Sequence, residues 1–442
     1  MKINPRLKDP MSNSIVIKWV HGREILDSRG NPTVEVDVHL SNGILGRSAV
    51  PSGASIGKHE AVELRDKDPS RFDGAGALQA ISNVEKFLGP AVIGMSPFDQ
   101  KSVDLNLTAV DGTPDKSRLG GNSVLGVSMA VAHAAANSKG TPLYRYLAGS
   151  NPVLLPIPLL NILNGGKHAE NSVDFQEFMV VPAGIPDFSR ALQAGTEVYQ
   201  ALKRLLKSQG HSTNVGDEGG FAPSLTTTRS ALESLNQAIG EAGYESGKEI
   251  FLALDVAATE LYQNGRYLLT KERMSLTSAD LVSFYQELVE EFPIVSIEDG
   301  MAEDDWDGWC ELMRSVGGKV QLVGDDLFTT NTERIQKGID LDAANAVLIK
   351  PNQIGTLTET FAAIELTKHA KWGVVMSHRS GETEDTTIAD LAVATGSGQI
   401  KCGAPARSER VAKYNRLLRI SEELGSDRRF PDPREYYWGA NR

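Results

Sequence analysis

The sequence predicts an α/β fold in which a TIM-like (β/α) barrel follows a smaller N-terminal α+β domain. The N-terminal part alternates apolar and polar residues as a β-hairpin does, and the part beyond residue 150 repeats a short apolar run followed by an amphipathic helix. Repeated βα units imply parallel strands. Because the runs end in ionisable residues, we favour a closed barrel, whose strand ends converge on one mouth, over an open sheet that would spread them along a crevice.

The composition is that of an acidic globular chain. It has 442 residues, with 45 Lys+Arg and 57 Asp+Glu, which gives a net charge of −12. Without a basic block, such a chain is a poor candidate for binding nucleic acid or an anionic membrane surface. No apolar run approaches the roughly 18 residues of a membrane span. The start lacks a signal-peptide pattern, and two cysteines are too few for a disulfide framework. We therefore expect a cytoplasmic protein.

The first predicted domain, residues 1–150, mixes strands and helices. Residues 34–40 alternate apolar and polar side chains, residues 41–43 have turn chemistry, and residues 44–50 resume as a second strand. Residues 59–65 have a helical pattern. Residues 122–138 are almost all small or apolar, which predicts a helix that is buried on every face.

The second predicted domain, residues 151–442, begins after the breaker sequence GSNP at 149–152. Its apolar runs end in ionisable residues that are 23 to 43 residues apart, which is room for a strand, a loop and a helix. Between them, residues 188–209 form an amphipathic helix, and Thr277 with Asp280 resembles a capping box. The runs are 251–255, 294–298, 321–325, 346–350, 373–378 and 399–401.

Three carboxylates, Asp255, Glu298 and Asp325, end three successive predicted strands. Any one of them is more often a helix cap or the partner of a lysine. Three carboxylates at the same position of a repeating unit favour a metal site, because like charges that converge on one place repel each other without a cation. Oxygen-only ligands select hard ions, Mg²⁺ before Zn²⁺.

Two lysines, Lys350 and Lys401, end two further runs. A lysine at a strand end is usually a surface charge or a salt-bridge partner. Pro351 favours an extended backbone at Lys350, so this side chain belongs to the strand. Two ammonium groups near bound Mg²⁺ are expected to lower each other's pKa, which allows a neutral lysine to act as a general base.

Two further motifs offer binding and acid groups. The motif SHRSG at residues 377–381 brings His378, Arg379 and Ser380 together, and a guanidinium beside a hydroxyl suits a phosphate or carboxylate. By itself the motif is about as often a structural turn. Asp217 and Glu218 lie in a glycine-bounded turn, where acids are more often solvated. At a barrel mouth, however, a partly buried glutamate can hold its proton and act as an acid.

The sequence GASIG at residues 53–57 matches the nucleophile-elbow pattern of serine hydrolases. We discount this match because the preceding strand alternates like a hairpin member and the chain has no HGGG oxyanion motif. Small residues around Ser55 instead predict a loop that closes over a site.

The chain resembles the enolase family from about residue 16 to residue 425. Any one matching motif is modest evidence, but all of them in order make coincidence improbable. The motifs are DSRGNPTVEV at 27–36, SGAS at 52–55, QEFM at 176–179, GDEGG at 216–220, LDVAA at 254–258, SIED at 296–299, GDDL at 324–327, KPNQIG at 350–355, SHRSGETED at 377–385 and QIK at 399–401.

The resemblance implies reversible dehydration of 2-phospho-D-glycerate to phosphoenolpyruvate with two Mg²⁺ ions per site. It implies that Asp255, Glu298 and Asp325 hold the first ion, and that Ser55 touches the second when substrate binds. Lys350 is then the base and Glu218 the acid. Glu177, Lys401 and His378 complete the catalytic set. The implied substrate-binding residues are His168, Gln176, Glu177, Glu298, Asp325, Arg379, Ser380 and Lys401.

The resemblance also implies a barrel whose first strands depart from strict βα alternation, a homodimer or higher homo-oligomer, and a possible secondary cell-surface or secreted pool. Ile56, Met301 and Cys402 depart from the family pattern without removing an ionisable group. Two alternatives stay open. One is another carboxylate lyase or racemase of the superfamily, although residues 176–177 read Gln-Glu rather than the K-x-K of racemases. The other is a non-catalytic enolase-like binding protein.

Overall fold

A computed structural model describes residues 14–53, 57–169 and 172–432 of the chain. The N-terminal part is an antiparallel sheet with its second strand in the centre, followed by five helices. These elements are β1 (Ile17–Leu26), β2 (Pro32–Leu40), β3 (Leu45–Ala49), α1 (Leu78–Asn83), α2 (Gly89–Val92), α3 (Gln100–Asp111), α4 (Gly121–Ser138) and α5 (Leu143–Ala148).

Strands β2 and β3 form the predicted hairpin, in which His39 lies opposite Leu45. Gly43 in the connecting turn has a φ of +84°, a conformation that glycine adopts without steric cost. Helix α4 packs on this sheet and is buried on nearly all of its surface, as the sequence predicts.

The helix predicted for residues 59–65 is wrong. From Ala61 onward the segment has no regular secondary structure, because its backbone hydrogen-bonds to other parts of the fold. The amide of Ala61 donates to the carbonyl of Gln353 (2.7 Å), and the amide of Val62 donates to that of Asp115 (2.8 Å). A helical pattern over seven residues is short, and these long-range hydrogen bonds override it.

Eight strands close into a barrel in the order β4, β5, β6, β10, β11, β12, β13, β14, with β14 paired to β4. The barrel strands are β4 (Ile157–Asn164), β5 (Glu177–Val181), β6 (Phe251–Asp255), β10 (Ile294–Glu298), β11 (Gln321–Gly324), β12 (Ala346–Ile349), β13 (Gly373–Ser377) and β14 (Gly398–Lys401). A small separate sheet, inserted after β6, consists of β7 (Tyr262–Gln263), β8 (Arg266–Leu269) and β9 (Met274–Leu276). This insertion accounts for the longest spacing between predicted strand ends.

From β5 onward, each barrel strand is followed by one or more helices. They are α6 (Phe188–Ser208), α7 (Thr228–Glu241), α8 (Ala258–Leu261), α9 (Ser278–Glu291), α10 (Trp306–Val316), α11 (Thr332–Leu341), α12 (Pro351–Ile354), α13 (Leu357–His369), α14 (Thr387–Thr395) and α15 (Ser408–Leu424). Thr277 and Asp280 form the predicted capping box of α9, and Asp187 caps α6 by accepting a hydrogen bond from the amide of Arg190.

Strand β5 runs antiparallel to both of its neighbours, whereas the other barrel pairs are parallel. The amino end of β5 therefore lies beside the carboxyl ends of the other strands. In this register Glu177 is opposite both Asn164 and Asp255. This is the departure from βα alternation that the resemblance implies, and it brings Glu177 to the mouth.

The inside of the barrel is filled by apolar side chains that include Leu159, Met179 and Val323. A larger apolar core lies between the strands and the surrounding helices, and a third core lies under the N-terminal sheet. Within the described part of the chain, no helix is long and apolar enough to cross a membrane.

Candidate active site

The barrel mouth gathers the ionisable groups that end the predicted strands. Glu177 begins β5, and Asp255, Glu298 and Lys401 end β6, β10 and β14. One cavity at this mouth is lined by the predicted site residues other than Ser55 and Glu298. It is lined by Glu60, His168, Gln176, Glu177, Glu218, Asp255, Asp325, Asp326, Lys350, Ser377, His378, Arg379, Ser380 and Lys401. Ser55 lies outside the described residues.

The Lys401 ammonium stands among three buried carboxylates. Its Nζ lies 2.8 Å from Asp255 Oδ2, 2.8 Å from Glu298 Oε1 and 3.2 Å from Glu177 Oε2. Burial lowers the pKa of Lys401, but these carboxylates outweigh it and raise the pKa well above its usual value.

Lys350 makes a second buried ion pair, with its Nζ 2.5 Å from Asp325 Oδ2. Gln353 Nε2 donates to the other oxygen of Asp325 at 2.9 Å. Burial lowers the pKa of Lys350, but Asp325 outweighs it and the pKa is raised. In this arrangement each ammonium is paired with a carboxylate and both lysine pKa values are raised, so the lowering expected beside bound Mg²⁺ stays a prediction.

The mouth nevertheless holds more carboxyl groups than these cations can compensate. Burial and neighbouring carboxylates raise the pKa of Glu298 and of Asp299 well above the usual range, and they raise that of Asp326 to about 8. Asp299, Asp325 and Asp326 each offer a ligand atom, and these atoms lie within 4.8 Å of one another. An oxygen-only, charge-excess site of this kind fits a hard divalent cation such as Mg²⁺.

The predicted metal ligands Asp255, Glu298 and Asp325 lie on three adjacent strands. Asp255 and Glu298 are register partners, and both contact the Lys401 ammonium. Asp325 instead pairs with Lys350, yet it is close enough to Glu298 to raise the pKa of that carboxyl group. The three acids therefore face one mouth, with lysine ammonium groups between their oxygens.

A second cluster joins two glutamates and two histidines. His168 Nδ1 lies 3.6 Å from Glu177 Oε1, and His378 Nε2 lies 3.3 Å from Glu218 Oε2. Burial, followed by the charge of Glu218, raises the pKa of Glu177 well above its usual value. Two like-charged buried carboxylates favour holding one proton between them.

The electrostatic surroundings of Glu218 depend on His378. Burial raises the pKa of Glu218, but positive charge on His378 and His168 would bring it well below its usual value. Burial also lowers the pKa of His378 to about 4, so this imidazole is neutral at pH 7. Without the charge of His378, burial and the mutual repulsion of the two carboxylates favour one proton on the Glu177–Glu218 pair, which suits an acid.

The segment after β13 forms one side of the cavity. Arg379 is buried, and its Nη1 lies 2.8 Å from Glu60 Oε2. Ser380 Oγ donates to Glu218 Oε1 at 3.3 Å. His168 and Gln176 line the same cavity, with His168 beside Glu177. A guanidinium and a hydroxyl that line one cavity are groups that can bind a phosphate or carboxylate.

Sequence reasoning missed several groups of this site. Glu60 lies in the segment wrongly predicted as a helix, and Arg410 lies within α15 without any local motif. Asp326 follows Asp325 directly, and Asn161 is a buried polar residue within the apolar strand β4. Asn161 had a signal in the sequence, since a buried polar residue in an apolar run requires a partner.

Two family models match the chain. The model "Enolase, N-terminal domain" matches residues 17–147, and the model "Enolase, C-terminal TIM barrel domain" matches residues 152–436. Together the two matches span nearly the whole sequence, and the chain therefore belongs to the enolase family.

Proposed function

We propose that this protein catalyses the reversible dehydration of 2-phospho-D-glycerate to phosphoenolpyruvate. One observation supports this reaction above others. A single cavity is lined by a buried lysine, a buried pair of glutamates, further cationic side chains, and more carboxylates than these cations can compensate. Proton removal next to a carboxylate requires a base and strong charge stabilisation, and loss of hydroxide requires an acid. The cavity supplies a candidate for each requirement.

Lys350 is the proposed base. It accepts the α-proton as a free amine, so the ammonium that pairs with Asp325 first has to lose one proton to solvent. The negative charge that develops on the substrate carboxylate is stabilised by the ammonium of Lys401. Mg²⁺ held by Asp255, Glu298 and Asp325, with Ser55 contributing to a second ion, would add positive charge at the same place.

Glu218 is the proposed acid. The hydroxyl group departs with the electron pair of its C–O bond and takes the proton of Glu218, leaving as water. Glu177, whose raised pKa lets it share one proton with Glu218, and His378 both lie beside the proposed acid. Arg379, Ser380, His168 and Gln176 are the proposed contacts to the phosphate and the remaining polar groups of the substrate.

Formation of phosphoenolpyruvate, followed by ultraviolet absorbance, tests the proposal. The wild-type protein is expected to turn over 2-phosphoglycerate with Mg²⁺ and to stop in excess EDTA, while Lys350→Ala is expected to be inactive. A folded wild-type protein without Mg²⁺-dependent turnover would refute the proposal. Turnover of another carboxylate instead would favour a different lyase or racemase of the superfamily, and fluorophosphonate labelling of Ser55 would favour the hydrolase. Light scattering tests the predicted homo-oligomer.

A further inference from the structure

Arg410 lies in α15 and is completely buried, with 0% of its surface exposed. Its guanidinium donates hydrogen bonds to the carbonyls of Arg379 (2.5 Å) and Ser380 (2.5 Å), which follow β13. It also donates to the carbonyl of Asp217, which precedes the proposed acid Glu218, at 3.1 Å. One side chain thus joins the two segments that carry His378 and Glu218.

A fourth contact of Arg410 indicates which ring nitrogen of His378 carries the proton. Its Nη1 lies 2.5 Å from Nδ1 of His378. A guanidinium has five donors and no acceptor, so the imidazole nitrogen in this contact has to supply a lone pair. A neutral imidazole that accepts at Nδ1 carries its single proton at Nε2.

The Nε2 atom of His378 faces the proposed acid. It lies 3.3 Å from Glu218 Oε2, to which its proton is directed. Asn161 Nδ2 donates to the same oxygen at 3.2 Å. The other oxygen, Oε1, lies 3.3 Å from Ser380 Oγ and 4.0 Å from His168 Nε2. The two oxygens of Glu218 are therefore inequivalent, because two nitrogen donors occupy Oε2.

We propose that Arg410 is a positioning residue that fixes His378 as its Nε2–H tautomer, so that Glu218 carries its transferable proton on Oε1. This inference rests on the proposed function, in which Glu218 protonates the departing hydroxyl group. In that step the Oε1–H bond breaks and an O–H bond of water forms. Glu218 becomes a carboxylate, and the His378 Nε2–H remains bound to Oε2 to stabilise it.

The charges around His378 agree with a neutral imidazole. The charged groups that face it are Glu218 from the 216–220 turn, Arg410 from α15 and Glu382 from the segment after β13. Burial and the guanidinium of Arg410 disfavour the imidazolium, and they outweigh the two carboxylates. A second proton at Nδ1 would also point at the donors of Arg410.

The tautomer can be read directly in the wild-type protein without substrate. Nitrogen NMR of protein labelled with ¹⁵N-histidine distinguishes protonated from unprotonated ring nitrogens, and loss of one signal set in His378→Gln assigns His378. We expect an unprotonated Nδ1 and a protonated Nε2 at pH 7. A proton on Nδ1 would overturn the proposal, whatever the variants do and whether or not the enzyme turns over 2-phosphoglycerate.

Arg410→Met tests the consequence for catalysis, and Lys413→Met is its matched control. Lys413 is buried on the same helix, and its Nζ donates to the carbonyl of Thr383 (2.6 Å) and pairs with Glu382 (2.7 Å) without contacting the imidazole. We expect Arg410→Met to give a mixture of His378 tautomers. It should slow dehydration about 100-fold, while exchange of the substrate α-proton with solvent falls less than about tenfold. Lys413→Met should preserve the tautomer and the ratio of the two rates.

A purely structural role for Arg410 would lower dehydration and exchange together and leave the tautomer unchanged, which would refute the inference. The same tautomer change in Lys413→Met would also refute it, because the effect would not depend on the guanidinium. If Arg410→Met does not fold, the nitrogen NMR spectrum of the wild-type protein still tests the tautomer of His378. Failure of the wild-type enzyme to form phosphoenolpyruvate refutes the proposed function instead, and the tautomer assignment is unaffected by that result.

Discussion

Replacing Lys401 by methionine is expected to destabilise the metal-free protein strongly. The ammonium contacts Glu177, Asp255 and Glu298 at 2.8 to 3.2 Å, and all four side chains are buried. Methionine fills a similar volume without charge, so three carboxylates lose their common partner. Removing one member of a buried ion pair costs about 3–5 kcal/mol, because the charge left behind is uncompensated.

The size of this loss should depend on pH and on Mg²⁺. Without the ammonium, the pKa values of Glu177 and Glu298 in the folded protein rise further above their values in the unfolded chain. The folded state then binds more protons, so stability is retained at low pH and falls as pH rises, by about 1.4 kcal/mol per pH unit for each proton taken up. Added Mg²⁺ should stabilise Lys401→Met more than the wild type, because the ammonium no longer competes for the same carboxylates.

Urea denaturation in EDTA at pH 6 and pH 8, repeated with Mg²⁺, measures these differences in unfolding free energy. Lys58→Met is the control, because the Lys58 side chain is 67% exposed and its 3.5 Å ion pair with Asp304 lies at the surface. That substitution should change stability by less than about 1 kcal/mol. Equal stability of Lys401→Met and Lys58→Met in EDTA at pH 8 would refute the electrostatic reasoning.

Three further predictions concern the proposed reaction and the acidic cluster. Lys350→Ala should abolish exchange of the α-proton in D₂O, whereas Glu218→Gln should preserve exchange and block dehydration; the reverse pattern would exchange their roles. The pKa of Asp326 is raised from 3.8 to about 8, so metal-free protein should lose stability as pH rises through this window. Asp326→Asn should reduce the dependence of the unfolding free energy on pH by about 1.4 kcal/mol per pH unit. An equal pH dependence in the wild type and the variant would contradict this. Glu60→Gln removes the carboxylate that orients Arg379 and should raise KM about tenfold with a smaller change in kcat; an unchanged KM would show that the pair does not position the guanidinium.

Much of the barrel could be predicted from sequence because its signals are local. Runs such as Phe251–Asp255 and Ile294–Glu298 are apolar until an acid ends them, and each is a buried strand in the structure. The capping box at Thr277 fixes the start of α9 in the same way. Patterns of this kind depend on a few neighbouring residues, so they can be recognised without knowing the rest of the fold.

Other parts of the site depend on contacts between distant residues. Nothing near Arg410 in the sequence indicates that its guanidinium reaches His378, 32 positions earlier. The helix predicted for the segment that contains Glu60 is wrong, because the sequence does not show the long-range hydrogen bonds of its backbone. The sequence also does not show that Lys350 pairs with Asp325, 25 positions earlier, which raises the pKa of this lysine in this arrangement.

Helix α4 has a consequence for how the chain can be divided. Its residues Val124 and Val127 belong to the apolar core under the N-terminal sheet, whereas Leu125 and Met129 belong to the core around the barrel. A fragment that begins near residue 150, where the domain boundary is predicted, would leave part of its own interior facing water. Expressed separately, the two pieces should aggregate or need each other to become native, and the intact polypeptide should melt cooperatively.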